Sequence, residues 1–171
     1  MKGAIFYSSK YGSTEQYANW IAEATGLPVF DAIEGNGDPS RYDFLVLGSP
    51  IIYFRLIIRK WLKEHWAGIA QKPVLFYSVS GALAGKKLDG WISKSLSQDI
   101  VSKMHVVNLG GRQIPGELNL FDGIMLKVAG LFNPDREAGK QESKGFDLMD
   151  KDSIEPILQW VRQISNKVEV A

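Results

Sequence analysis

The chain has no cysteine in its 171 residues. That absence removes disulfides, thiolate nucleophiles, zinc–thiolate sites and cysteine-ligated iron–sulfur clusters together. Histidine is nearly as scarce. His65 and His105 stand far apart, which leaves no metal-binding constellation, and both are expected to be packed rather than catalytic. An excess of one charge is missing too: 20 Lys and Arg face 19 Asp and Glu, a net charge of +1, which argues against nucleic acid as the main partner. No apolar run reaches the about 18 residues of a bilayer-spanning helix. The opening Met1-Lys2-Gly3-Ala4-Ile5 is too short an apolar run for a signal peptide. A soluble cytoplasmic protein with no transmembrane segment is the expectation. What is present suits one domain over 1–171, because 45% of the residues are hydrophobic and can fill a continuous core.

Buried-strand and amphipathic-helix patterns alternate along the chain. Strands are expected at 3–7, 29–33, 43–48, 73–80 and 104–109, the third a near-continuous apolar run of the kind buried on both faces of a parallel sheet. Tyr17, Ala18, Ile21 and Ala22 share one helical face, and that helix stops at Gly26 with Pro28 beyond. Phe54, Ile57, Ile58, Trp61, Leu62 and His65 make a second face, and Leu88, Trp91, Ile92 and Leu96 a third. Ile154, Ile157, Leu158, Val161 and Ile164 mark a closing helix, with Asp152 and Glu155 as its expected cap. Five strands alternating with helices give an α/β fold, a doubly wound parallel sheet with helices on both faces.

In such sheets ligands bind at the carboxyl ends of the strands, near the switch in strand order. Here those ends carry small or hydroxyl residues: Ser8 and Ser9, Gly48 and Ser49, Ser78 and Ser80, Gly110 and Gly111. After the first strand, Ser8-Ser9-Lys10-Tyr11-Gly12-Ser13-Thr14 leads into a helix. Backbone N–H groups at a helix start, together with these hydroxyls, suit a phosphate. The same residues also suit a plain turn capped by Ser13 with Gln16. The coincidence of four small-residue edges favours the phosphate. A phosphoreceiver shares the strand order but needs an acidic pair after strand one and an Asp after strand three, where this chain has Ser8-Ser9 and Ser49.

These loops resemble the flavodoxin family. Its phosphate loop reads Thr/Ser-x-Thr-Gly-x-Thr, and Ser9-Lys10-Tyr11-Gly12-Ser13-Thr14 matches with Tyr11 in place of the middle Thr. Gly48-Ser49-Pro50-Ile51-Ile52-Tyr53 resembles the Gly-Thr/Ser-Pro segment beside the isoalloxazine, and Ser78-Val79-Ser80-Gly81 takes the position that meets its pyrimidine edge. The resemblance implies a flavodoxin-like five-stranded sheet of order 2-1-3-4-5 with an insertion after strand five, and FMN as cofactor. Its implied site comprises Ser9, Lys10, Tyr11, Gly12, Ser13, Thr14, Ser49, Pro50, Ile51, Ile52, Tyr53, Ser78, Val79, Ser80 and Gly81. The second half looks most similar to the branch of menaquinone-dependent protoporphyrinogen oxidase, on Tyr77-Ser78-Val79-Ser80 and on Gly110-Gly111-Arg112 followed by 120–127.

The insertion would run from about Arg112 to Asp150, with a helical face of Leu120 or Phe121, Ile124, Met125, Val128 and Leu131. Five basic and seven acidic residues across it make a basic membrane anchor the wrong description. An extra helix on the core is the expectation, and a homodimer or partner contact stays open. What the resemblance implies is an FMN redox protein in electron transfer, or an FMN-dependent oxidoreductase of the protoporphyrinogen or quinone type. The electrons would go to a redox partner protein, a quinone or a small aromatic substrate. Lys10 would partly offset the phosphate charge and make the flavin's potential less negative. Ile51 and Ile52 stand where a glycine often flips a peptide, and β-branched residues resist the positive φ this needs. Ser80-Gly81-Ala82-Leu83-Ala84-Gly85 holds no aromatic, which suggests an open flavin face. Arg55, Arg59, Lys60 and Lys63 are expected as a solvated basic face, with docking of an acidic redox partner as the alternative.

Overall fold

The structure, a computed structural model, describes residues 1–82, 85–114, 116 and 145–166. The elements run in chain order as β1 (Gly3–Tyr7), α1 (Ser13–Thr25), β2 (Val29–Asp31), β3 (Phe44–Ile52), β4 (Arg55–Leu56), α2 (Arg59–Ile69) and β5 (Val74–Ser80). Then come α3 (Lys86–Ser95), α4 (Gln98–Val101), β6 (Met104–Gly110), β7 (Arg112–Gln113), β8 (Phe146–Asp147) and α5 (Glu155–Asn166). Five parallel strands lie in the order β2-β1-β3-β5-β6, the expected 2-1-3-4-5 sheet; β4 pairs antiparallel with the end of β3, and β7 with β8.

The pleat explains the two-sided core. Ala4, Phe6, Leu45, Leu47, Val74 and Phe76 point to one face, under Leu62 and Ile69 of α2 and Leu88 and Ile92 of α3. Ile5, Tyr7, Phe44, Val46, Leu75 and Tyr77 point to the other, under Tyr17 and Ile21 of α1 and Ile157 and Val161 of α5. Successive side chains alternate faces, and helices cover both, so the strands read as continuous apolar runs. Each fully buried Leu, Ile, Val or Phe contributes about 1.5–3 kcal/mol relative to exposure.

Several local expectations are corrected. β2 ends at Asp31 instead of Ile33, because the Asp31 carboxylate accepts the Ile33 and Glu34 N–H groups at 2.7 and 2.9 Å and turns the chain. Helix α1 is preceded by Gly12 in left-handed backbone, with no side-chain cap, so Ser13 and Gln16 form no capping box. At the closing helix Asp150, not Asp152, supplies the turn: its Oδ1 accepts the Asp152 N–H at 3.0 Å. Glu155 instead accepts from Gln159 and Arg162.

The second helix begins at Arg59, not near Phe54. β3 continues through Ser49, Pro50, Ile51 and Ile52, which pair back onto Arg55 and Leu56 through the two-residue turn Tyr53-Phe54. Both turn residues have positive φ, 50° and 63°. That is the requirement of the hairpin turn whose twist matches its strands, normally met by Asn-Gly. The left-handed backbone argued against at Ile51 and Ile52 falls one step later, on two aromatics. The helical face expected at 120–131 lies outside the described residues.

Candidate functional site

At the carboxyl edge of the sheet, β1 passes through Ser8 into the loop that opens α1. Gly12 turns this loop at φ 81°, where a side chain would be strained, and its N–H donates to Ser9 Oγ at 3.1 Å. The first helical N–H groups of α1 have no carbonyl partners within the helix and face the loop. A phosphate fits here on one observation. Thr14 Oγ1 is buried at the helix start and has no hydrogen-bond partner among the described residues. A buried unpaired hydroxyl costs about 1–3 kcal/mol, which an acceptor oxygen would recover.

The rest of the loop is held from below and from the side. The Tyr77 hydroxyl of β5, wholly buried, donates to the Thr14 carbonyl at 3.1 Å. Ser13 is turned to the neighbouring strand end: its Oγ accepts the Arg112 N–H at 3.3 Å. Lys10 is exposed, with Nζ 5.5 Å from the Tyr11 ring centre and 5.9 Å from that of Tyr53 on the hairpin. This cation bridges the two segments. Burial, then the charges of Glu15 and Asp31, raise the Tyr7 hydroxyl to about 12. Burial also raises Tyr77.

In the second segment Ser49 is fully buried. Its Oγ donates to the Pro50 carbonyl at 3.0 Å and accepts the Ile58 N–H at 3.2 Å, so the hydroxyl positions the lead into α2. Pro50, Ile51 and Ile52 are half-buried, and Tyr53 is exposed at the hairpin tip. The hairpin is anchored away from the loop: Ser95 Oγ accepts the Leu56 N–H at 3.1 Å, and the Phe54 ring lies 5.1 Å from that of Trp91.

In the third segment Ser78 is fully buried and donates to Asn108 Oδ1 at 2.7 Å, and Val79 and Ser80 are buried as well. Only Gly81 of these four is exposed. Leu83 and Ala84 lie outside the described residues. An aromatic from 65 positions on in the chain stands beside this loop. The Phe146 ring of β8 stands against Gly81, so close that a Cβ there would collide with it. Gly110 and Gly111 serve the chain itself. Gly111 N–H donates to the Ser80 carbonyl at 2.8 Å, and its own carbonyl accepts the Leu148 N–H at 3.0 Å. The Gly110 carbonyl accepts from Tyr17 at 2.8 Å.

The histidines divide. His65 stacks on Trp61 with ring centres 4.5 Å apart and its Nδ1 lies 2.8 Å from the Trp61 carbonyl, whereas His105 is exposed on β6 and is not packed as expected. Among the described residues no group of acidic or histidine side chains is placed to hold a metal, and no helix is long and apolar enough to cross a membrane.

Between the phosphate loop and the hairpin lies a cleft of about 460 Å³, lined by Lys10, Ile52, Tyr53, Arg55, Ile57 and Arg59. Sequence reasoning placed Arg55 and Arg59 on a helix face. The missed signal is the Tyr53-Phe54 turn, which puts Arg55 on a strand and brings both arginines to the loop. Tyr77, read only as part of a strand ending, and Phe146, which lies in no loop motif, were missed as neighbours of the site.

A family model described as Flavodoxin domain matches residues 4–132. No curated protein matches the chain. Among solved structures it is similar to a flavodoxin, WrbA-like protein from Agrobacterium tumefaciens, at 15% identity and TM-score 0.49, over 82% of this chain and 98% of that one. It is also similar to a flavodoxin from the domain Archaea, at 15% identity and TM-score 0.48, over 84% and 94%. A Fusobacterium nucleatum flavodoxin bound to flavin mononucleotide is similar at 17% identity and TM-score 0.46, over 63% and 70%. The family match spans all five parallel strands and the phosphate loop, and the chain belongs to the flavodoxin family.

Proposed function

We propose that this chain binds FMN at the edge formed by Ser9–Thr14, Ser49–Tyr53 and Ser78–Gly81, and works as a redox protein in electron transfer. The carrying observation is the orphaned Thr14 hydroxyl at the start of α1, in a loop opened by left-handed Gly12. Family membership and the FMN-type loop agree with it. When bound, FMN supplies the one- and two-electron chemistry, and the protein supplies binding, orientation and local charge. Ser9, Gly12 and the α1 backbone would receive the phosphate. The hairpin from Pro50 to Tyr53 would flank one side of the ring system, and Gly81 with Phe146 would bound the other. Lys10, the loop's cation, would moderate the negative charge of the phosphate. The expected setting is cytoplasmic, with a redox partner protein or a quinone at the other end of the transfer.

A second reading is favoured by the cleft beside Lys10: an FMN-dependent oxidoreductase of the protoporphyrinogen or quinone type, in which a small molecule meets the flavin directly. A homodimer remains compatible with either reading. One experiment separates them. The purified protein is reconstituted with FMN, its visible spectrum is recorded, and quinone-linked oxidation of protoporphyrinogen is assayed. A yellow protein without turnover supports the carrier, turnover supports the enzyme, and a protein that takes up no FMN overturns both.

A further inference from the structure

We propose that the cleft between the phosphate loop and the β3–β4 hairpin recognises a small organic acid, an apolar ring bearing a carboxylate, through Arg55 and Arg59. The proposal rests on the flavin reading for what such a ligand would do there, and its binding is measured apart from the flavin. Arg55 is exposed on β4 and Arg59 opens α2 four residues later, and both line the cleft. Neither has a carboxylate partner among the described residues, although Arg41, Lys60, Lys151 and Arg162 all have one. Arg59 commits one N–H to the Leu56 carbonyl at 2.8 Å. A guanidinium has five N–H donors, so most of its fork stays available. Paired forks match a planar carboxylate better than a hydrated point charge does.

The other walls say what carries the carboxylate. Ile52, Ile57 and the Tyr53 ring line the same cleft. A small inorganic anion gains nothing from these surfaces, whereas a ring compound buries its faces against them. The volume, about 460 Å³, falls within the roughly 300–1,000 Å³ of small-molecule sites. A folded protein partner would instead need about 800 Å² of matched surface on its side. The hairpin is fixed by the Leu56–Ser95 hydrogen bond and the Phe54–Trp91 ring contact, so the arginines are presented on a braced support.

The test uses 2-naphthoate as probe, with neutral 2-naphthamide and inorganic phosphate as controls, titrated against the FMN-loaded protein and the flavin-free protein by calorimetry. 2-Naphthoate is expected to bind at least about tenfold more tightly than the amide, the scale of one charge-assisted hydrogen bond. Arg55→Gln, which disturbs no hydrogen bond within the described residues, is expected to abolish most of that difference; Arg59→Lys is expected to reduce it in part. FMN affinity should be unchanged in both variants. Equal binding of acid and amide, phosphate binding as tight as naphthoate, or an unchanged preference in Arg55→Gln would overturn the proposal. So would loss of FMN affinity in Arg55→Gln, since the cleft would then hold part of the flavin. A protein that takes up no FMN yet keeps the Arg55-dependent preference for naphthoate removes the flavin reading and leaves this site standing.

Discussion

The Tyr77 hydroxyl reaches across 63 residues of chain to donate to the Thr14 carbonyl at 3.1 Å. It ties the middle of the sheet to the start of α1, directly beneath the loop proposed to hold a phosphate. Tyr77→Phe removes the donor and leaves the ring in place. The variant is expected to lose about 1 kcal/mol of stability, the usual net worth of such a bond. Urea unfolding measures the loss, and the apolar contacts of the ring should leave the denaturant slope unchanged.

Gly48 lies under the same ring, and a Cβ at that position would collide with the Tyr77 phenol. Gly48→Ala is therefore an overpacking change at the centre of β3, expected to cost about 1–3 kcal/mol because β3 is flanked on both sides by paired strands. In a Gly48→Ala, Tyr77→Phe double variant the penalty should fall, since the phenolic oxygen is one of the atoms in the way. Thermal or urea midpoints of the four proteins in this cycle measure that coupling.

Alkaline pH should expose Tyr7. Its hydroxyl titrates near 12 in the folded protein against an ordinary 10.0, through burial first and the Glu15 and Asp31 charges next. The folded form therefore holds its proton where the unfolded chain has released it. This contribution to stability is complete below pH 10 and is lost as pH rises from 10 towards 12. Tyr7→Phe should show a shallower loss across that window than the wild-type protein. Urea midpoints from pH 9 to 11.5 decide it, and parallel curves would contradict the assignment. Tyr77 is raised by burial first and by the Tyr7 charge next, so repeating the comparison in a Tyr77→Phe background frees it of that coupling.

Lys10 lies on the solvent side of the loop, near the Tyr11 and Tyr53 rings. A cation there favours added negative charge on a bound flavin. Lys10→Ala is expected to make the midpoint potential of the FMN-loaded protein more negative, with a smaller difference at high salt because the site is exposed. An anaerobic redox titration checks it. An unchanged or higher midpoint would remove Lys10 from the account.

The parallel sheet was legible because period and length agree: residues 3–7, 44–47 and 74–77 are apolar on both faces, which only a sheet covered by helices on both sides requires. The phosphate loop was legible from Gly12 and its hydroxyl neighbours. The hairpin at Tyr53-Phe54 was hidden for a physical reason. Two aromatics in left-handed backbone contradict local preference, and the turn is held by contacts distant in sequence, from Ser95, Trp91 and Lys10. Helical spacing at Phe54, Ile57 and Ile58 therefore read as the start of a helix, where the chain makes a strand pair first. The serines misled in another way. Ser49 and Ser78 lie at the carboxyl edge as expected, yet their hydroxyls bond to Ile58 and Asn108, because the pleat sets these paired residues on one face of the sheet, against the lead into α2 and the neighbouring strand. Phe146 could be placed only by the return of the chain after the segment 117–144, which no local pattern encodes.

The claim that the Ser9–Thr14 loop holds a flavin phosphate is tested most directly by titrating FMN and riboflavin, which differ only in that phosphate, into the flavin-free protein and a Thr14→Val variant. Quenching of flavin fluorescence gives both affinities. The wild-type protein should bind FMN at least about a hundredfold more tightly than riboflavin, since charge-assisted bonds to the phosphate contribute about 1.5–3 kcal/mol each. Thr14→Val should narrow that gap while leaving the flavin-free protein as stable or more so, because it deletes an unpaired buried hydroxyl. Equal affinity for the two flavins, or a preference untouched by Thr14→Val, would contradict the account.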